Sequence, residues 1–336
     1  MIITEKTTIG ELCQAEVFKP FSDYFFSIMT EETWNNALEV YGFQKCGFAD
    51  ALERIRELSE QTKTGENFIY GVYSQDETTA EPDKEKVKLI HMPGEDDKPY
   101  VLVCPGGAYA RQWGIIEGMA VGARLNQLGY TAFVLFYRTM MKPPFTEALF
   151  PKPLEDLERA VRWIGEHSGE LKVMKEGYAV AGFSAGAHLA AEWGTVNCGW
   201  KACDAERPAA LILGYPSIST DVFCDFLENA EGIAYSSAND YLTRIGGPGY
   251  TRERLREYSV DLHMDDTCPP VYLTACRDDP VVPISCSYRM IEVMEKLQIP
   301  FEANIAVHGG HSFGVGDGTE VDGWLNKAVE FWQSQL

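Results

Sequence analysis

The sequence predicts an α/β architecture: a mostly parallel central sheet with helices on both faces, preceded by a helical extension over residues 1–65. Three observations carry that expectation. Short apolar runs of strand length recur after residue 86, helical segments lie between most of them, and the first 65 residues show helical rather than alternating periodicity. Strands that are apolar along their whole length suit a sheet covered on both sides.

The elements follow in order. Thr8, ahead of Ile9-Gly10-Glu11-Leu12, has the form of a helix cap followed by an acidic first turn. Ala51, Leu52, Ile55 and Leu58 make a stripe at helical spacing that ends near Gly65. Phe18, Phe21, Tyr24, Phe25 and Phe26 read as packing residues that dock the extension on the main body. The polar stretch 74–86 reads as a hairpin loop or linker. Strands are predicted at 87–92, 101–104, 131–137, 178–181, 210–213, 271–275 and 303–307, with helices at 116–128 and 154–166 among the intervening segments. Residues 66–336 then form one α/β domain. Within it, 217–258 carries Phe223, Phe226, Leu227, Tyr235 and Tyr241 amid acidic residues and is the expected lid.

Bulk properties narrow the function classes. A chain of 336 residues suits one large α/β domain with an appendage. A formal net charge of −21 repels phosphate backbones, so no nucleic-acid partner is expected. The nine cysteines form no C-x-x-C pair, which predicts reduced thiols rather than a disulfide framework. The first 18 residues lack a basic stretch followed by an apolar one, and no run approaches 18 uninterrupted apolar residues. A cytoplasmic protein with no membrane partner is the expectation.

In a parallel sheet the functional residues gather at the carboxyl ends of the strands, so the residues just after each run are informative. After 101–104 comes Pro105-Gly106-Gly107-Ala108-Tyr109, where paired glycines let the backbone approach a ligand and leave amides free, or simply make a turn. After 178–181 comes Gly182-Phe183-Ser184-Ala185-Gly186, with a helix-compatible stretch behind it. That strand–turn–helix context is what a nucleophile elbow requires, because the following helix start supplies donors and a favourable dipole for negative charge. After 271–275 come Asp278 and Asp279, leading into the stiff Pro280-Val281-Val282-Pro283, and either aspartate could orient a histidine. After 303–307 come His308 and His311 on a glycine-rich loop. Both are candidate bases, and with no nearby acidic or cysteine ligand they argue weakly for a metal. Ser184, Asp279 and His311 stand in the chain order Ser…Asp…His of a hydrolase triad.

With these residues in view, the chain resembles the α/β-hydrolase-fold serine esterases, in particular acetyl esterases and acetylxylan-esterase-like carbohydrate esterases. The residues that carry the resemblance are 101–109, Glu117-Gly118, Phe136-Tyr137-Arg138, Pro153-Leu154-Glu155-Asp156, Gly182 to Leu189, Asp279 to Pro283 and Gly310-His311. It spans roughly residues 68–336 and leaves the helical front uncovered. It implies a Ser184–His311–Asp279 triad, with the D-x-x-V-P register selecting Asp279 over Asp278. It also implies an oxyanion hole from the amides of Ala185, Gly107 and Gly106, and no metal or other cofactor. Pro105 and Ala108 depart from the histidine and third glycine common in the wider group. His188 is read as structural, and Arg138 with Asp156 as a buried ion pair. Tyr109, Gln112, Trp113 and Tyr215 are the expected substrate contacts, narrowing an acyl pocket and stacking on a sugar ring. The implied substrate is a short-chain ester, acetyl first, of a sugar or xylo-oligosaccharide. A prolyl-oligopeptidase-like peptidase and a non-catalytic binding protein of the same fold are the competing readings.

Overall fold

The computed structural model describes residues 2–141 and 143–336. Eight strands make one sheet: β1 (Ile69–Gly71), β2 (Lys88–Met92), β3 (Lys98–Cys104), β4 (Ala132–Phe136), β5 (Val173–Phe183), β6 (Ala210–Gly214), β7 (Val271–Cys276) and β8 (Phe301–Ala306). Their spatial order is β1-β2-β4-β3-β5-β6-β7-β8. All pairs from β4 to β8 are parallel, while β1 and β2 join antiparallel at one edge. Every residue of β4, β6 and β7 is buried, as expected of strands covered on both faces.

Two apolar clusters lie on the two faces. One gathers Leu102, Leu135, Val180 and Leu211 with Leu157, Ile164, Leu189 and Met290. The other gathers Val101, Val103, Val134 and Ala179 with Phe18, Phe21, Phe25, Phe48, Leu52, Ile55 and Leu58. Alternation along each strand decides which side chain joins which cluster. The helical front therefore supplies much of one face of the core. Its local signals are realised too: Thr8 makes a reciprocal capping box with Glu11, and the apolar stripe lies on the helix Phe48–Thr62.

Three local expectations need correction. β1 is only three residues long and was invisible to periodicity. The segment 74–86 is not a bare loop: it holds a helix, Gln75–Ala80, whose Ser74 cap and Glu77 form a second capping box. The helix expected at 116–128 begins as a π-helical turn, Gly114–Met119, before settling into Ala120–Gln127. Such turns are rare and are often found where a side chain must be re-aimed. No helix among the described residues is long and apolar enough to cross a membrane.

Candidate active site

Ser184 sits at the turn between β5 and the helix Ala185–Glu192, with φ 53° and ψ −119°. A serine at positive φ is strained, and the flanking glycines make the turn sterically feasible. A Cβ at Gly182 would run into the Gly186 carbonyl, and one at Gly186 into the Cys104 carbonyl. The sharp bend thus lifts the Ser184 hydroxyl above the sheet.

The two partners arrive on loops after β7 and β8. His311 Nε2 lies 3.0 Å from Ser184 Oγ, and its Nδ1 lies 2.7 Å from Asp279 Oδ2. The other Asp279 oxygen accepts the backbone N–H groups of Val281 and Val282 at 2.8 and 2.9 Å. That pair of bonds fixes the carboxylate before it meets the imidazole. The Asp279 side chain is 2 % exposed and that of His311 10 %, so the relay is largely withdrawn from water.

Asp278 does something different. Its Oδ1 accepts the N–H groups of Gly309 and Gly310, at 3.1 and 2.8 Å. These bonds, that from Gly310 foremost, hold its pKa below the usual carboxylate range. Glu320 Oε2 accepts from Val307 and His308 in the same loop. Asp278 and Glu320 therefore anchor the loop that carries His311, and His308, 71 % exposed, faces Asp278 rather than the serine.

Asp279→Asn is accordingly expected to lower kcat by about a thousandfold, because the amide presents the wrong hydrogen-bonding pattern to Nδ1. Asp278→Asn is expected to lower it by about tenfold at most, since it loosens a solvent-exposed loop. Turnover of both variants at neutral pH checks the assignment. Greater damage from Asp278→Asn would sink it.

The expected oxyanion amides differ in their surroundings. The Gly106 N–H donates to Glu117 Oε2 at 2.8 Å and so cannot face a ligand. The amides of Gly107, Ala108 and Ala185 make no hydrogen bond to protein among the described residues. Gly107 has φ 135°, and a Cβ there would run into the Arg111 carbonyl. Ala108, which the sequence reading passed over as a departure, has φ 54° and borders the cleft. Its place third in the loop, directly after the paired glycines, was the available signal.

The expected substrate contacts turn out to be packing residues. Tyr109 is fully buried, bonds His188 Nδ1 through its hydroxyl at 2.7 Å and stacks on Tyr241. Gln112 is buried against the Tyr137 carbonyl. Trp113 packs edge-on to Phe26 and beside Tyr41. Tyr215 is buried and donates to Glu117 Oε1 at 2.8 Å. Tyr109 and Tyr215 occupy positive-φ positions, 57° and 39°, which turn their rings inward.

The cleft over Ser184 measures about 350 Å³ and draws its walls from elsewhere. Phe223 and Phe226 come from the helix Thr220–Leu227, and Ile233, Ser237 and Tyr241 from the helix Gly232–Gly246. Pro280 and Val281 close it from the acid loop. The segment expected as a lid thus provides most of the wall. Ser217, which the sequence reading did not single out, links its hydroxyl to the Ser184 carbonyl at 3.2 Å and to Tyr241 at 3.0 Å.

Neighbouring buried polar groups are structural. His188 is fully buried between the Tyr109 hydroxyl and the Tyr258 carbonyl. Burial pushes His188 down to about 4 and Glu192, 3.4 Å away, up to about 8. Both are therefore neutral at pH 7. Arg138 and the fully buried Asp156 make a forked pair, 2.9 and 3.1 Å from Nε, with Tyr73 donating to the same carboxylate. Among the described residues, no group of three His, Cys, Asp or Glu side chains is placed to hold a metal.

Comparison with known proteins agrees with this frame. An endo-1,4-beta-xylanase B from Butyrivibrio fibrisolvens is 30 % identical over 230 residues, covering 67 % of this chain and 34 % of that protein. An acetylxylan esterase from Xylanibacter ruminicola is 24 % identical over 238 residues, 70 % of this chain and 45 % of that protein. The chain thus matches less than half the length of either relative. The solved structure of an acetyl ester-xyloside bifunctional hydrolase from Caldicellulosiruptor lactoaceticus superposes with a TM-score of 0.64 at 27 % identity, over 79 % of this chain and 95 % of that one. The fold is that of the α/β-hydrolases. A family model described as BD-FAE matches residues 90–294, a span that includes Ser184 and Asp279 and stops short of His311. With more than half of its length inside that match, the chain belongs to the BD-FAE family.

Proposed function

We propose that the protein is a serine carboxylesterase that works through an acyl-enzyme on Ser184. The observation that supports this most is the continuous relay from Ser184 Oγ to His311 to Asp279, at 3.0 and 2.7 Å, on a strained elbow that opens into a cleft. His311 takes the Ser184 proton as the hydroxyl attacks the ester carbonyl, and returns it to the leaving alcohol. Asp279 holds the imidazole with Nε2 free to accept and stabilises the imidazolium. The Ala185 amide, with those of Gly107 and Ala108, would receive the oxyanion, and losing one such donor typically costs about 3 kcal/mol. Water then enters on the same histidine and releases the acid.

The preferred substrate in this reading is a short-chain ester, acetyl first, carried by a sugar such as a xylo-oligosaccharide. The support is the likeness to an acetylxylan esterase and to an acetyl ester-xyloside hydrolase. The cleft itself favours a second reading. Its volume exceeds what an acetyl group needs, and Phe223, Phe226, Ile233, Tyr241 and Val281 give it mainly apolar walls. Each methylene buried there would gain about 0.8 kcal/mol.

A series of p-nitrophenyl esters from C2 to C8, run beside acetylated xylo-oligosaccharides with acetate measured, separates the two. The first reading expects kcat/KM to peak at C2 or C4 with acetate released from the sugar. A rise continuing to C8 without acetate release would favour the second. Cleavage of peptide amides with esters untouched would instead indicate a peptidase.

A further inference from the structure

Glu117 is a fully buried carboxylate that no step of the proposed reaction uses. It lies on the π-helical turn Gly114–Met119, just beyond the oxyanion loop. We infer that Glu117 is a positioning residue: its carboxylate ties the oxyanion loop to Tyr215, whose ring packs edge-on to His311. The inference rests on the esterase reading above.

The contacts come from three separate strand ends. Glu117 Oε2 accepts the Gly106 N–H at 2.8 Å, which holds the loop after β3. Oε1 accepts the Tyr215 hydroxyl at 2.8 Å, from the residue after β6. Tyr215 also sets its ring edge-on to the His311 ring, with centroids 4.7 Å apart. One side chain thus indexes the amides that face an oxyanion against the base that serves the nucleophile.

Such a group is costly to bury unless its oxygens are satisfied. Here the bonds from Gly106 and Tyr215 satisfy them. Burial raises the carboxyl pKa, and the charge of His311 is the largest influence drawing it back down. The other titratable groups that feel Glu117 are Tyr215, Tyr137 and Cys46, all neutral at pH 7 and all pushed up by burial. Around His311, Asp279 is the bonded carboxylate, while Asp278, His308 and Glu320 stand further out on the loop anchors.

Glu117→Gln is the informative variant. Its amide can still accept from Gly106 but meets the Tyr215 hydroxyl with a donor in place of an acceptor, so the shape survives while the tie to the ring on His311 is weakened. Expected are an unchanged melting temperature within a few degrees, KM within about twofold and kcat lowered ten- to a hundredfold. Wild-type kcat would overturn the inference. Should Glu117→Gln fail to fold, Tyr215→Phe carries the test: it keeps the ring on His311 and removes one donor. Lower kcat at unchanged KM supports the positioning role, and wild-type kcat overturns it. Labelling of the unmutated protein at Ser184 by a fluorophosphonate keeps the two claims apart. Its absence counts against the esterase reading, whereas effects confined to the variants concern Glu117.

Discussion

Ser184→Ala is expected to fold with a melting temperature within a few degrees of the parent and to lose ester turnover by about 10⁴-fold or more. Only one oxygen is removed, and the elbow's conformation is imposed by Gly182, Gly186 and the bond from the Ser184 N–H to the Gly214 carbonyl. Stability therefore changes little. The covalent step has no stand-in: Ser217, another hydroxyl on the cleft wall, is committed to the Ser184 carbonyl and to Tyr241. Any residual rate would come from the free amides of Gly107, Ala108 and Ala185 acting on bound ester. The measurements are initial rates on p-nitrophenyl acetate and covalent labelling by a fluorophosphonate followed by mass spectrometry. A variant that keeps more than a few per cent of activity, or still takes the label, would place the nucleophile elsewhere. An unmutated chain that takes no label would favour a binding protein that only shares the fold.

What could be read from the sequence divides along a physical line. The buried stretches of β3 to β7 announce themselves because strands covered on both faces must be apolar there, whereas the edge strand β8 carries Glu302 and Asn304 and shows only in part. The residues directly after these strands are confined to one end of the sheet. Ser184, Asp279 and His311 fall in that set, so their meeting was foreseeable without knowing any side-chain direction. The cleft walls were legible only in outline: 217–258 was expected as a lid, but not which of its side chains face the serine. Tyr109, Gln112 and Trp113 are close in sequence to the oxyanion loop and Tyr215 directly follows β6, but place along the chain does not say where a ring points. At Tyr109 and Tyr215 a positive φ turns the side chain into the core. The walls come instead from Phe223, Phe226, Ile233 and Tyr241, some forty to sixty residues beyond Ser184, on helices whose docking angle only tertiary packing decides. Glu117 was visible as part of a shared motif and had no role attached to it. A buried acid on a helical stripe looks like an error of pattern until the Gly106 and Tyr215 donors are found around it.

Removal of residues 1–65 is expected to abolish folding rather than produce a trimmed enzyme. Phe18, Phe21, Phe25, Phe48, Ile55 and Leu58 are each at most 1 % exposed, and they lie on the sheet face formed by Val101, Val103, Val134 and Ala179. Full burial of one such side chain contributes about 1.5–3 kcal/mol. Six of them together match the whole net stability of an ordinary domain, about 5–15 kcal/mol. The deletion would also uncover the apolar face they protect, which invites aggregation. The extension reaches the site as well. The Ser27 N–H donates to the Gln112 carbonyl at 3.2 Å, and the Ile115 N–H to the Phe25 carbonyl at 2.9 Å, on either side of the Trp113 ring that packs on Phe26. These bonds grip the chain between the oxyanion loop and the π-helical turn that carries Glu117. Even a partly folded remnant would therefore present its oxyanion amides poorly. Chain 66–336 and the full chain are to be compared by soluble yield, size-exclusion elution and thermal melt monitored by circular dichroism. Phe25→Ala in the full chain serves as the graded control, with an expected loss of about 3–5 kcal/mol. A soluble, monodisperse 66–336 that melts cooperatively within a few degrees of the full chain would show that the sheet face can be covered without the extension, and would reduce the helical front to an ornament.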